Sequence, residues 1–137
     1  MVNPENPEKQ AIASLHIMSS DRGDEEILLY EKDQHGVLEY GSSWIDDGKQ
    51  AQSKLIDLKP GTMARLKSKL DFETPQALEP HIMGCDGVFY DLIIYKSEQE
   101  QKYSWWVYAP KGWESVVDAA NALLSAVGLN TRVEINL

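Results

Sequence analysis

The chain has 137 residues, 42% of them hydrophobic and 26% charged, with a formal net charge of −9. That length suits one domain with a single sizeable core, and the composition excludes general disorder. The negative charge argues against general affinity for nucleic acid or anionic lipid, and no apolar run is long enough for a transmembrane helix.

Residues 1 to 10, with Pro4 and Pro7 among polar neighbours, are read as a flexible lead-in to a single α+β domain over residues 11 to 137. Their text, "MVNPENPEKQ", has neither a positively charged start nor an apolar run, so a cytoplasmic protein is expected. "AIASLHIM" (11–18) alternates, with Ala13, Leu15 and Ile17 on one face, and predicts a strand. "SSDRGDEE" is read as a polar loop. "EILLYEKDQHGVLEYGSSWI" (26–45) predicts a hairpin around "DQHG", with Gly36 supplying a positive φ. "AQSKLIDL" (51–58) predicts another strand, stopped by Pro60 and Gly61. Thr62 then suits the N-cap of a second, short helix over 62–70, with Met63, Leu66 and Leu70 on one face. Residues 72 to 84, with Pro75 and Pro80, read as a loop.

The second half is more strongly patterned. "GVFYDLIIYKS" and "QKYSWWVY" predict two strands joined by "EQEQ". Both faces of the first are apolar, as in a central strand. Trp113, Val116, Val117, Ala120, Leu123, Leu124 and Val127 recur at helical spacing, so one long amphipathic helix is expected over 113–127. Acidic Glu114 suits its first turn and Gly128 its C-terminal cap. "TRVEINL" (131–137) alternates again and predicts a closing edge strand. Hairpins with a late helix on one face make an α+β domain built on an antiparallel sheet.

Catalytic and metal signatures are absent. Cys85 is the only cysteine, which excludes an intrachain disulfide and any zinc site with two or more cysteines. His81, Cys85 and Asp86 lie close together in "HIMGCDG", yet no thiol-activating context accompanies them. Asp21, Asp24, Glu25 and Glu26 are clustered without the spacing of a calcium loop, and no phosphate-binding glycine loop occurs. No catalytic residue, cofactor or metal is therefore assigned.

"KYSWWVYAPKGW" (102–113) is the strongest functional lead. Neighbouring strand residues point to opposite faces, so Trp105 and Trp106 cannot share one. Tyr103, Trp105 and Val107 make the more apolar set and are assigned to the helix-covered face. Trp106, beside Ser104 and Tyr108, is assigned outward as a partner anchor. Charge also segregates. Lys49, Lys54, Lys59, Arg65, Lys67 and Lys69 face only Asp57 between residues 49 and 69, so the remainder is strongly acidic. Asp24, Glu25, Glu26, Asp46 and Asp47 are the acidic candidates for the same contact surface, which would favour a basic protein partner.

Residues 86–128, running "DGVFYDLIIY", then "YSWWVYAPKGW", then the amphipathic helix, resemble small acidic bacterial proteins of unknown function, including immunity proteins of toxin–immunity pairs. The resemblance implies inhibition by tight binding to a basic cognate toxin, with no enzymatic step. The competing expectation is a small-molecule-binding domain or enzyme, with a pocket between sheet and helix lined by Tyr90, Trp105 and Trp106.

Overall fold

Alternation along the strands settles the architecture. The computed structural model describes residues 2–3, 6–19, 23–42, 52–75, 87–96 and 99–135. In chain order these form β1 (Val2–Asn3), β2 (Asn6–Ser19), β3 (Gly23–Lys32), β4 (His35–Ser42), β5 (Ser53–Asp57) and α1 (Pro60–Leu70). Next come β6 (Val88–Tyr95), β7 (Glu100–Trp106), β8 (Tyr108–Ala109), α2 (Glu114–Ala126) and β9 (Glu134–Ile135). The fold is α+β. Its main sheet is antiparallel in the order β5-β4-β3-β2-β6-β7, with β1 pairing β2 outside that order. The meander β2–β5 thus meets the hairpin β6–β7 along a single seam, where Ala13 lies opposite Ile94 and Leu15 opposite Leu92.

One face of this sheet, here the inner face, is the core. Ala13, Leu15, Ile27, Leu29, Leu38, Leu92 and Trp105 have no exposed surface, and they pack with Met63, Leu66 and Leu70 of α1 and Val116, Ala120, Leu123 and Leu124 of α2. Each such leucine or isoleucine contributes about 1.5–3 kcal/mol through burial. Two helices share the face rather than one, because α1 packs against both α2 and β4.

Local differences from the sequence expectations have identifiable causes. The β3–β4 turn uses Asp33 (φ 51°) and Gln34 (φ 67°), between the paired residues Lys32 and His35. Two consecutive positive φ values match the right-handed strand twist that a two-residue hairpin loop needs. Gly36 therefore serves packing, not the turn: a Cβ there would lie 2.4 Å from the Met63 Sδ and 2.8 Å from its Cγ. Pro60, expected to stop a strand, instead starts α1, its missing N–H falling where the helix has no acceptor to offer. Lys59 occupies the N-cap and Thr62 does not. The acidic segment read as loop belongs to β3 from Gly23 onward. α2 ends as foreseen: Gly128 (φ 84°) donates to Ser125 O at 3.0 Å and Leu129 to Leu124 O at 3.0 Å, the paired bonds of a glycine-terminated helix.

Asn121 lies on the side of α2 opposite most of its apolar stripe. Its Nδ2 donates to Val133 O (3.1 Å) and its Oδ1 accepts from Val133 N (2.7 Å), so one side chain imitates a strand partner. This clamp holds the segment leading into β9, which pairs in parallel with β8 rather than closing the main sheet. Asn121→Ala leaves the buried Val133 backbone unpaired and is expected to cost about 1–3 kcal/mol. Thermal unfolding measures the loss, and faster amide exchange at Val133 would locate it. Unchanged exchange there would show that the clamp holds nothing.

Candidate functional site

The second face of the sheet, the outer face, carries every side chain that alternates with the core. Strand register orders these side chains into rows. Trp106, Phe89, Met18 and Asp24 lie side by side across β7, β6, β2 and β3. The next row runs Ser104, Asp91, His16, Glu26, Gly41 and Ser53. Lys102, Ile93, Ser14, Leu28, Glu39 and Leu55 form the third. An aromatic end thus borders a polar row that holds two carboxylates, Asp91 and Glu26.

Trp106 is placed by three local features. Its ring sits 6.5 Å from that of Phe89, its cross-strand neighbour. Behind it, Val107 takes φ 59°, a left-handed conformation that a β-branched residue adopts only under constraint. Val107 N still donates to Val88 O at 2.8 Å, and the chain then leaves the sheet. Gly87 (φ 118°) makes room: a Cβ there would stand 2.8 Å from Val107 Cγ2 and 3.2 Å from Trp106 Cζ2. The indole therefore lies across a glycine and is fixed by the bend.

The polar row is internally bonded. Ser104 Oγ donates to Asp91 Oδ1, and Lys102 Nζ stands 3.8 Å from Asp91 Oδ2. His16 Nε2 is 3.7 Å from Asp24 Oδ2. Asp24 and Glu26 are exposed, whereas Met18, Leu28, Phe89, Ile93, Tyr95 and Trp106 are half-buried. Tyr30, Val37 and Ser14 are buried even on this face. By contrast the exposed surface of α1 carries Arg65, Lys67 and Lys69 with no acidic residue. That basic surface belongs to α1 alone, since α2 exposes Glu114 and Asp118.

The structure places Trp106, Asp24 and Glu26 on one face of the sheet, with β6 and β2 lying between the tryptophan and the two carboxylates. Glu25 points to the opposite face, where Tyr40 Oη donates to its Oε2 at 2.6 Å. Burial first, then the bond to Glu25 and its charge, pushes the Tyr40 hydroxyl up to about 12, so it stays a donor. Tyr108 is 51% exposed but follows the Val107 bend and belongs to the small β8–β9 sheet, not to the face of Trp106. The continuous strand expected through Val107 and Tyr108 is broken there. Asp46, Asp47, His81, Cys85 and Asp86 lie outside the described residues. Register added what spacing could not: Asp91, His16 and Ser104 come from three strands and meet only once the pairing is known.

The space between sheet and helices, where the competing expectation places a pocket, is filled, and Trp106 lies on the other face of the sheet. Tyr90 and Trp105 stack at 5.2 Å, and Trp113 closes edge-on at 6.3 Å from Trp105. Clefts open elsewhere among the described residues. One of 390 Å³ lies between Tyr40, Lys54 and the end of α2, where Lys54 Nζ already donates to Val127 O at 3.3 Å. Another of 250 Å³ lies beside Gly36 and Met63, next to the Glu31–Lys67 ion pair. Among the described residues no group of three His, Cys, Asp or Glu side chains could hold a metal ion, and no helix is long and apolar enough to cross a membrane. No family model and no curated protein matches the chain.

Proposed function

We propose that this chain is a non-enzymatic protein-binding domain that presents its outer sheet face to a basic partner. In its most specific form it is an immunity protein neutralising a basic cognate toxin. One observation carries the reading: a fixed, half-buried tryptophan shares the outer face with the exposed carboxylates Asp24 and Glu26, on the side of the molecule away from the basic helix α1. Aromatic anchors supply most interface energy because they bury much area with few rotors. Surrounding carboxylates add little affinity but raise the association rate with a basic surface and oppose acidic competitors.

The test is capture from the native host with wild-type protein, followed by binding isotherms and association kinetics for the captured protein. Trp106→Ala is expected to weaken binding by roughly 2 kcal/mol, about thirtyfold. Glu26→Lys is expected to slow association chiefly, with a flatter salt dependence. A partner that binds both variants as tightly as wild type would remove the outer face from the recognition surface.

A further inference from the structure

Leu55 is 65% exposed at the centre of β5, a strand on the edge of the main sheet. A large apolar side chain this open, on an unpaired edge, is a feature that folded proteins ordinarily avoid or use. The edge's backbone is ready for use. Leu58 N donates to Gly36 O (2.8 Å) and Ser42 N to Gln52 O (2.9 Å), which fixes the bonded pairs between β4 and β5 at even positions of β5. Ser53, Leu55 and Asp57 therefore turn their N–H and C=O groups away from β4. Among the described residues none of the three has a hydrogen bond on that side.

We propose that β5 pairs with β5 of a second copy of this chain, antiparallel about a two-fold axis at Leu55. The edge is self-complementary in that register. Leu55 meets Leu55 of the other copy on the outer face, and Ser53 meets Asp57, a hydroxyl donor against a carboxylate, on either side of it. Lys54 falls opposite Ile56, so no like charges oppose each other. Roughly six backbone hydrogen bonds form across the axis. A two-fold contact uses the same patch twice, which this strand satisfies without change. The other edge, β7, fits less well: it holds charged Lys102 at an outward position and bends away at Val107. Pairing at β5 leaves Trp106 uncovered at the far edge of each copy, so this inference does not rest on the function proposed above.

The contact is small, so the dimer is weak, with half-dissociation on the order of 10–100 μM. Sedimentation equilibrium of the full chain across that range is expected to show a reversible monomer–dimer exchange. Leu55→Lys sets two ammonium groups against each other and is expected to weaken association at least about tenfold, with an unchanged thermal midpoint for the monomer. Crosslinking tests the register. In a Cys85→Ser background, Leu55→Cys is expected to oxidise to a covalent dimer, because paired Cα atoms there lie about 5.5 Å apart, within disulfide reach. Ser53→Cys is expected to form no disulfide-linked dimer, since its two copies lie more than about 12 Å apart in this register. A wild-type chain that remains monomeric overturns the proposal, and so does a dimer indifferent to Leu55→Lys. Equal crosslinking from both positions overturns it too. A monomer whose Leu55→Lys variant loses a captured protein would instead assign the edge to a foreign strand.

Discussion

Trp105→Ala is expected to lower folding stability by about 3–5 kcal/mol, while Trp106→Ala unfolds close to the wild-type midpoint. The two residues are adjacent, yet their surroundings differ completely. Trp105 has no exposed surface and sits in a chain of rings that runs Phe72, Tyr103, Trp113, Trp105, Tyr90. Those rings join β6, β7, the start of α2 and the segment after α1. Truncation opens a cavity that β6, β7 and α2 cannot close, because each is fixed elsewhere by sheet or helix bonds. Trp106 contacts Phe89 on the outer face, keeps part of its surface in solvent and belongs to no such chain of buried rings. A milder substitution separates volume from polarity. The Nε1 groups of Trp105 and Trp113 are buried without a hydrogen-bond acceptor among the described residues. Trp105→Phe removes one such group while keeping an aromatic ring, so it is expected to cost clearly less than alanine. Chemical denaturation of the three variants measures the order. Equal losses for Trp105→Ala and Trp106→Ala would mean the two faces are equally packed.

Leu124→Ala is expected to cost about 2–5 kcal/mol, the range for truncating a buried leucine. Leu124 is fully buried in the core cluster, and its carbonyl accepts the Leu129 N–H that terminates α2. Packing and helix ending therefore coincide at one residue. The neighbouring Ser125, exposed on the same helix, is the control, since Ser125→Ala is expected to stay within about 0.5 kcal/mol. A denaturation midpoint for Leu124→Ala within error of wild type would show that α2 is not seated on the sheet as described.

Where the chain obeys a single period, its structure was legible from residues alone. The stripe from Trp113 to Val127 became α2, Gly128 its cap, and the alternation in "DLIIY" and "YSWW" became β6 and β7 with opposite fates for the two tryptophans. Three kinds of feature escaped. The strand β2 begins at Asn6, where polar residues and Pro7 hide any alternation. Val107 gives no local sign of a left-handed conformation, because its type disfavours one, so the bend reflects tertiary packing against Gly87. The bonds from Asn121 to Val133 had no sign in the sequence, because helical spacing reports a face, not whether another segment crosses it. For the candidate site the limit was register. Trp106, Asp24 and Glu26 were nameable from pattern and charge, whereas Glu25 was separated from them by one residue of alternation inside a segment read as loop. Asp91 could be joined to His16 and Ser104 only through pairings between distant parts of the chain.

The seam between β2 and β6 has a consequence for how the chain reaches this state. The meander β2–β5 and the hairpin β6–β7 can each assemble from contacts between near neighbours in sequence. Joining them requires Leu15 to find Leu92 with the whole of β3, β4, β5 and α1 looped between. Closing that loop restricts the chain before any seam contact compensates, and long-range pairing of this kind is what slows folding. Until it happens, the inner edge of β2 and the apolar inner face of β6 both lie open. The period of greatest vulnerability to misassociation thus falls between hairpin formation and seam closure, and it lengthens with every substitution that weakens the row Leu15–Leu92.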